Sequence, residues 1–181
     1  AAGVLADPER QRLVDGLLRP AVAEVMTDRR IRDGRISGHH ACYNWQAWHI
    51  TAVGLVGFLL EDEAMIAWAL DGEYGFRHLV SHDIRDDGLF WERSFGYQSF
   101  VINALSRLLE AAHRAGIDHW NLSVPDDSTL DEWGSANYTL DGNNGPKTVA
   151  MMLEAARDYV FPDLSAAPVS DSGRTSLRAL T

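Results

Sequence analysis

Apolar residues recur at intervals of three and four along much of this chain, as they do on one face of an α-helix. The pattern is clearest over residues 44–60, where one face collects Trp45, Trp48, His49, Ala52, Val56 and Leu59. A second long pattern covers residues 97–115, and Gly116 ends it. These two segments predict the main helices, and Gly54 and Gly57 predict a closely packed neighbour for the first of them.

Shorter patterns predict further helices at residues 8–26, 62–70, 73–82 and 146–159, and the opening turns of one more at residues 172–181. Polar loops rich in Gly, Asp, Asn and Ser separate the helices at residues 27–43, 85–95 and 117–145. The sequence contains no alternating strand pattern of any length. It therefore predicts an all-α protein built from helical hairpins, with its function carried by long polar loops.

Composition restricts the partners of this chain. Its hydrophobic fraction of 46% and charged fraction of 23% are those of an ordinary globular protein. A net charge of -10 argues against a nucleic-acid partner bound through bulk positive charge, whereas a local cluster of Arg and His still suits a polyanionic sugar. The longest apolar run, residues 50–60, is too short to cross a bilayer, so no membrane partner is expected. The single cysteine, Cys42, excludes an internal disulfide and leaves the compartment open.

Two segments concentrate side chains that suit a carbohydrate. Residues 38–49 hold three His, two Trp, one Tyr, one Asn and one Gln. Residues 86–97 begin with two Asp and a Gly, and continue through an aromatic stretch with Glu92 and Arg93 to Tyr97. Aromatic rings stack on the C–H faces of sugars while the polar groups bind hydroxyls and carboxylates. The two segments together predict a site for a sugar or another polyol.

Each of these side chains also has a purely structural interpretation. Trp45 and Trp48 lie on a helical face and would suit a core, and so would His49. His39 and His40 would suit a solvated loop. Adjacent histidines seldom converge on one ion, and the chain has no HExxH motif, so neither a metal site nor a cofactor is predicted.

The sequence also bears on two other enzyme classes, serine hydrolases and glycoside hydrolases. The chain lacks a GxSxG motif and a strand for it to follow, which argues against a serine hydrolase. A glycoside hydrolase that uses Asp87 and Glu92 as paired carboxylates stays open. Glu92 and Arg93 also fit ordinary exposed charges, and Tyr97 also fits the core at a helix start.

Several motifs, in their order and spacing, resemble those of the heparinase II/III-like and alginate-lyase-like polysaccharide lyases. They are Asn44-Trp45 at a helix start, Asp87-Gly88 followed by Glu92, Tyr97 opening the next long helix, Phe161-Pro162-Asp163, and Asp171-Ser172-Gly173. Hyaluronate and chondroitin lyases share a related Asn-Trp and Asp-Gly pattern. The resemblance spans most of residues 36–175.

The resemblance implies a catalytic domain of helical hairpins arranged as an incomplete (α/α) toroid, usually followed by antiparallel β-sheet domains. On this expectation residues 1–181 are a single helical domain and a fragment of a larger enzyme. The partners are then an acidic polysaccharide or oligosaccharide and a missing C-terminal β-sheet domain of the same parent chain. A secreted or periplasmic location is favoured over a cytoplasmic one.

The resemblance also implies β-elimination on a uronic-acid-containing polysaccharide, alginate-like or glycosaminoglycan-like, without a cofactor. Asn44 would stabilise the enediolate-like intermediate beside the substrate carboxylate, with His40 as the alternative for that role. Tyr97 would remove the C5 proton and then protonate the departing O4. Since a free phenol has a pKa of about 10, nearby positive charge from Arg93 or a histidine would be needed to lower it.

The remaining site residues are expected to shape the sugar subsites: Trp45, His39, His49, Trp91, Glu92 and Arg93. His49 would alternatively support Asn44 from one helical turn away. Gln98 stands where the family often has a second His or Tyr, which leaves the substrate open. The alternatives to a lyase are a glycoside hydrolase on a helical toroid and a non-catalytic carbohydrate-binding fragment.

Overall fold

Helices dominate the computed structural model, which describes residues 7–27, 43–125, 145–163 and 165–168. In chain order the α-helices are α1 (Asp7–Leu13), α2 (Arg19–Thr27), α3 (Asn44–Leu60), α4 (Glu63–Asp71), α5 (Phe76–His78), α6 (Phe95–Arg114) and α7 (Val149–Asp158). Two short π-helical segments follow α1 and α5, at Val14–Leu18 and Leu79–Asp83. The described residues contain isolated β-bridges but no strand. The predicted all-α class is therefore confirmed.

The two long helices, α3 and α6, run parallel to each other. The Thr51 hydroxyl donates a hydrogen bond of 3.0 Å to the carbonyl oxygen of Ala104, 53 residues later in the chain. One turn further along both helices, a Cβ on Gly54 would lie only 2.3 Å from Cδ1 of Leu108. The predicted close approach of a neighbour at Gly54 is thus made by α6, and both helices begin at the same end of the molecule.

Helix α4 folds back antiparallel on α3 and forms a helical hairpin with it. The turn places Glu61 in the left-handed region, with φ of 54°. The Asp62 carboxylate then accepts from the Met65 amide at 3.2 Å and from Arg19 at 3.1 Å. Both bonds hold the pKa of Asp62 below its usual value, and the bond from the Met65 amide has the larger effect. A capped helix start and a short turn therefore define this hairpin.

The core lies where α3, α4 and α6 meet. Its completely buried members include Ala47, Ile50, Ala69, Leu105, Leu108 and Leu109. Full burial of one large apolar side chain stabilises a fold by about 1.5–3 kcal/mol. The apolar pattern that predicted α6 is buried in the structure, at Val101, Ala104, Leu105, Leu108 and Ala112, so the two long helices form the scaffold that positions their N-terminal ends.

The predicted helix at residues 8–26 is present but is widened by the π-helical segment Val14–Leu18. There the Arg19 amide donates to the carbonyl oxygen of Val14, five residues earlier. Pro20 follows at once, lacks an amide hydrogen and crowds the carbonyl four residues before it. The wider turn accommodates that proline without ending the helix.

The helix predicted at residues 73–82 is present but begins later, at Phe76. Only Phe76–His78 is α-helical, and the chain then widens into the π-helical segment Leu79–Asp83. Gly72 and Gly75 form a tight turn before it, in which a Cβ on Gly75 would lie 2.9 Å from the Gly72 nitrogen. The glycines therefore delay the helix, because they allow a turn that a continuous helix does not have.

The last described helix, α7, was predicted at residues 146–159 but begins later, at Val149. The Lys147 amide donates to the Val124 carbonyl oxygen at 2.7 Å, and the Val124 amide donates to the Lys147 carbonyl oxygen at 2.9 Å. This extended pair keeps Pro146 out of the helix, and Thr148 caps it instead by accepting from the Met151 amide. The helix predicted at residues 172–181 lies outside the described residues.

Among the described residues no helix has both the length and the hydrophobicity required to cross a membrane. The toroidal arrangement and the single-domain organisation over residues 1–181 stay predictions.

Candidate active site

Glu92 joins the loop before α6 to the first residue of α3. Its Oε2 atom accepts from the Asn44 backbone amide at 2.9 Å and from Asn44 Nδ2 at 2.9 Å. All three groups are only partly buried. The expectation that Glu92 contacts the sugar is untested, but its observed partner is the side chain predicted to stabilise the intermediate. The carboxylate fixes the direction of that carboxamide and satisfies a free amide at the helix start.

Tyr97 lies at the same level of the molecule as Asn44. Asn44 precedes Thr51 by two turns of α3, and Tyr97 precedes Ala104 by two turns of α6. Because Thr51 and Ala104 are hydrogen-bonded between parallel helices, the two earlier residues face the same end of the interface. Both are half-buried. The structure thus brings these two candidates to one end of the α3–α6 pair, and neither is sealed in the core.

Aromatic rings form a wall beside Asn44. The ring of Tyr43 lies 5.8 Å from that of Trp45 and 6.0 Å from that of Trp91. Trp45 in turn lies 5.9 Å from the His49 ring and is 42% exposed. Trp45 is therefore a surface residue rather than a core residue, and Tyr43, which the sequence argument did not select, joins the two predicted tryptophans.

Arg93 has an unusual backbone conformation directly after Glu92. Its φ is 54°, in the left-handed region that side chains other than glycine rarely adopt. The Arg93 amide donates to the carbonyl oxygen of Phe90 at 2.8 Å, which closes the turn. Strained conformations of this kind persist where the surrounding structure enforces them, and they cluster at functional sites. The turn places Glu92 and Arg93 just before the start of α6, five and four residues before Tyr97.

A short hairpin carries these residues. Ile84 and Phe90 form an antiparallel bridge, and Trp91 donates to the Asp83 carbonyl oxygen at 2.8 Å. At its tip the Asp87 carboxylate accepts from the Leu89 amide at 3.0 Å. Both carboxylates considered for a glycoside hydrolase, Asp87 and Glu92, thus have hydrogen-bonding roles that hold local structure.

Gln98 fastens this hairpin to the rest of the protein. Its side-chain oxygen accepts from the Phe90 amide at 2.6 Å, and its Nε2 atom donates to the carbonyl oxygens of Gly88 and Met152 at 3.0 Å each. The side chain is fully buried. The residue that departs from the family pattern is therefore a structural connector in this chain. No local sequence signal could reveal this role, because its partners lie in other elements.

An ion pair links the hairpin to the segment before α7. Lys147 Nζ bonds to the Asp86 carboxylate, and the Lys147 side chain is only 2% exposed. A buried lysine requires such a partner, because an uncompensated buried charge is costly. The hairpin is thus held on one side by Gln98 and on another by this pair.

His49 belongs to a series of side chains linked by hydrogen bonds and ring contacts. Its Nδ1 atom lies 3.3 Å from Oε1 of the buried Gln46, whose Nε2 donates to the Tyr74 carbonyl oxygen at 2.8 Å. The Tyr74 ring contacts His78, which stacks on His82 with ring centroids 4.0 Å apart. His78 and His82 were not predicted as site residues, because they fall in a segment with no recognisable motif.

His39 and His40 lie outside the described residues, so their predicted roles stay predictions. Within the ranges that the structure describes, no group of three or more His, Cys, Asp or Glu side chains is arranged to hold a metal ion.

Comparison with known proteins identifies the family. The family model described as alginate lyase matches residues 5–149, which is well over half of the 181-residue chain. No curated protein matches the chain at a significant level. The match includes α3, the hairpin and α6, and so covers Asn44, Glu92, Arg93 and Tyr97. This chain belongs to the alginate lyase family of polysaccharide lyases.

Proposed function

We propose that this protein cleaves a uronic-acid-containing polysaccharide by β-elimination at the N-terminal ends of α3 and α6. The observation that supports this most directly is the double hydrogen bond from Asn44 to Glu92, at the level of Tyr97. A carboxamide held in this way has one Nδ2 hydrogen engaged by Glu92 and a second hydrogen left to donate. That second hydrogen is the group needed beside a substrate carboxylate.

In the proposed reaction Asn44 donates to the uronate carboxylate and stabilises the charge that develops when the C5 proton leaves. Tyr97 accepts that proton and returns it to the O4 leaving group as the C4–O4 bond breaks. Arg93, at the turn before α6, supplies positive charge that favours the phenolate. Trp45 and Trp91, in the aromatic wall beside Asn44, stack on the sugar rings.

The experiment that tests this proposal replaces Tyr97 with Phe. The assay follows the ultraviolet absorbance of the C4–C5 double bond on alginate and on a glycosaminoglycan panel. Loss of a general acid–base group lowers turnover by about 100- to 10,000-fold, and that is the expected loss here. Tyr159→Phe, a tyrosine at the end of α7, is the matched control and should keep full activity.

Three outcomes contradict the proposal. Full activity of Tyr97→Phe would remove the residue from the mechanism. Reducing sugar formed without absorbance would indicate a glycoside hydrolase instead. Polymer binding by the unaltered chain with no product of either kind would indicate a binding fragment.

A further inference from the structure

The face of α3 that points away from the core is apolar apart from His49. Trp45 is 42%, Leu55 38% and Leu59 60% exposed, and Trp48 and Ala52 lie between them on the same face. The whole of α3 contains no Asp, Glu, Lys or Arg. Helices that are apolar on every side are normally covered, so this exposed face is suited to a partner.

Helix α6 adds an aromatic ring and a cation to the N-terminal half of this face. The Phe100 ring lies 5.4 Å from the Trp48 ring, tilted by 54°, and Phe100 is 42% exposed. The Arg107 guanidinium carbon lies 5.7 Å from the centroid of the Trp48 ring. We call Trp48, Phe100 and Arg107 the seam cluster, because they bridge the seam between α3 and α6.

The guanidinium of the seam cluster is available to an anion. Arg107 is exposed, and among the residues that the structure describes no carboxylate lies within ion-pair distance of it. The next carboxylate on its face of the helix, Glu110, is engaged by Arg114 at 2.8 Å. Arg107 thus presents a cation over an aromatic platform, on a chain whose net charge is -10.

The seam cluster continues directly from the candidate active site. Trp48 follows Asn44 by one turn of α3, and Phe100 follows Tyr97 by about one turn of α6. One such turn is about 5–6 Å along the helix axis. The contact between Trp48 and Phe100 places these two rings on the same side of the seam. A chain molecule bound at Asn44 and Tyr97 can therefore extend over the cluster.

We propose that the seam cluster is a distal subsite for an acidic polysaccharide, one that holds a sugar unit beyond the reacting bond. The rings of Trp48 and Phe100 stack on the sugar, and Arg107 binds its carboxylate. This inference rests on the proposed function for the identity of the polymer, but it requires binding only and no turnover. A neutral sugar would use the rings and leave the guanidinium unused, whereas a uronic acid uses both.

Binding measurements on length-fractionated alginate oligomers and on dextran test this inference. Arg107→Ala should weaken the binding of long oligomers by about two- to fivefold, as expected for one exposed ion pair. Phe100→Ala should weaken it by about two- to tenfold through lost stacking. Neither variant should change the affinity for a monosaccharide, which cannot occupy the reacting site and the cluster at once. Both side chains are exposed, so the fold should tolerate their removal.

Two matched controls share the residue type and the exposure but lie outside the cluster. Phe161 is 47% exposed, and Arg114 is exposed on the same helix as Arg107. Phe161→Ala and Arg114→Ala should leave oligomer affinity unchanged. Added salt should reduce the affinity of the unaltered chain toward that of Arg107→Ala.

The inference is overturned if the Arg107 and Phe100 variants bind long oligomers as tightly as the controls do. It is also overturned if light scattering shows a dimer that Leu59→Glu and Phe100→Ala dissociate, since the face would then be covered by a second copy. If the length-dependent binding is present and no unsaturated product forms, the proposed function fails while this subsite stands. Tyr97→Phe should bind oligomers with unchanged affinity while losing turnover, which would separate the proposed subsite from the proposed catalytic function.

Discussion

At the scale of single residues, one carboxylate oxygen makes two bonds that serve different purposes. The bond from Glu92 to the Asn44 amide caps α3, and the bond to Asn44 Nδ2 orients a carboxamide. Capping bonds of this kind stabilise a helix by about 1 kcal/mol. Orientation acts on the reaction rather than on stability, because small misplacements of a reacting group are costly to rate.

The first prediction separates these two effects. Glu92→Ala should lower kcat by about 100-fold with a much smaller change in KM, because Asn44 loses the bond that orients it. Glu92→Gln keeps an acceptor oxygen and should recover most of that loss. Equal kcat for the alanine variant and the unaltered chain would show that Asn44 needs no such support. Thermal unfolding of both variants provides the control for the capping contribution.

At the scale of elements, the hairpin between Ile84 and Phe90 is shaped by its contact with α7. Gly88 has φ of 78°, and a Cβ there would lie 2.3 Å from the carbonyl oxygen of Met151. The Gly88 carbonyl oxygen also accepts from Gln98. The hairpin can dock on α7 only because this position has no side chain.

The second prediction concerns that glycine. Gly88→Ala should destabilise the fold by about 2 kcal/mol or more, from the unfavourable φ and from the clash together. Gly116 has a similar φ of 84°, and a Cβ added there would have no atom within 4 Å, so Gly116→Ala isolates the φ contribution. That control should cost only about 1–2 kcal/mol. Equal unfolding free energies for the two variants, measured in urea, would contradict the clash.

How much of these elements the sequence could predict depends on where their determinants lie. Residues 44–60 were predicted with the observed bounds, because the apolar spacing and the turn after it are local. The hairpin bridge and the later start of α7 were missed, since both depend on pairing between separate segments, such as Val124 with Lys147. The site followed the same rule. Asn44 and Tyr97 came from motifs, whereas the bond to Glu92 and the role of Gln98 required the parallel packing of α3 and α6.

At the scale of the whole molecule, two acidic side chains contribute to how stability responds to pH. The pKa of Asp62 is held below its usual value by the Met65 amide first and then by Arg19. The pKa of Asp118 is lowered chiefly by a bond from the Asn121 side chain. A carboxylate with a lowered folded pKa contributes stability that is fully present above about pH 4, the usual value in the unfolded chain. That contribution is lost as the pH falls through the lowered pKa.

The third prediction uses Asp62→Asn, since asparagine keeps the helix cap and removes the titration. At neutral pH the unaltered chain should unfold at a higher temperature than the variant. As the pH falls below about 4 the difference should shrink, because protonated Asp62 loses its charge-assisted bonds. A difference in Tm that stays constant with pH would contradict the assignment. Asp15→Asn, an exposed carboxylate on the N-terminal helix, serves as the control.

The attachment of the hairpin to α7 has a consequence for where this domain can be cut. The family match ends at residue 149, while α7 runs from Val149 to Asp158. Helix α7 contains Met152, whose carbonyl oxygen accepts a hydrogen bond from Gln98. Trimming the chain to the matched segment would keep every proposed catalytic group but remove the surface against which their loop rests. Glu92 would keep its bonds to Asn44, but the loop that carries it would lose its contact with α7, so we expect a boundary chosen from homology to loosen that loop.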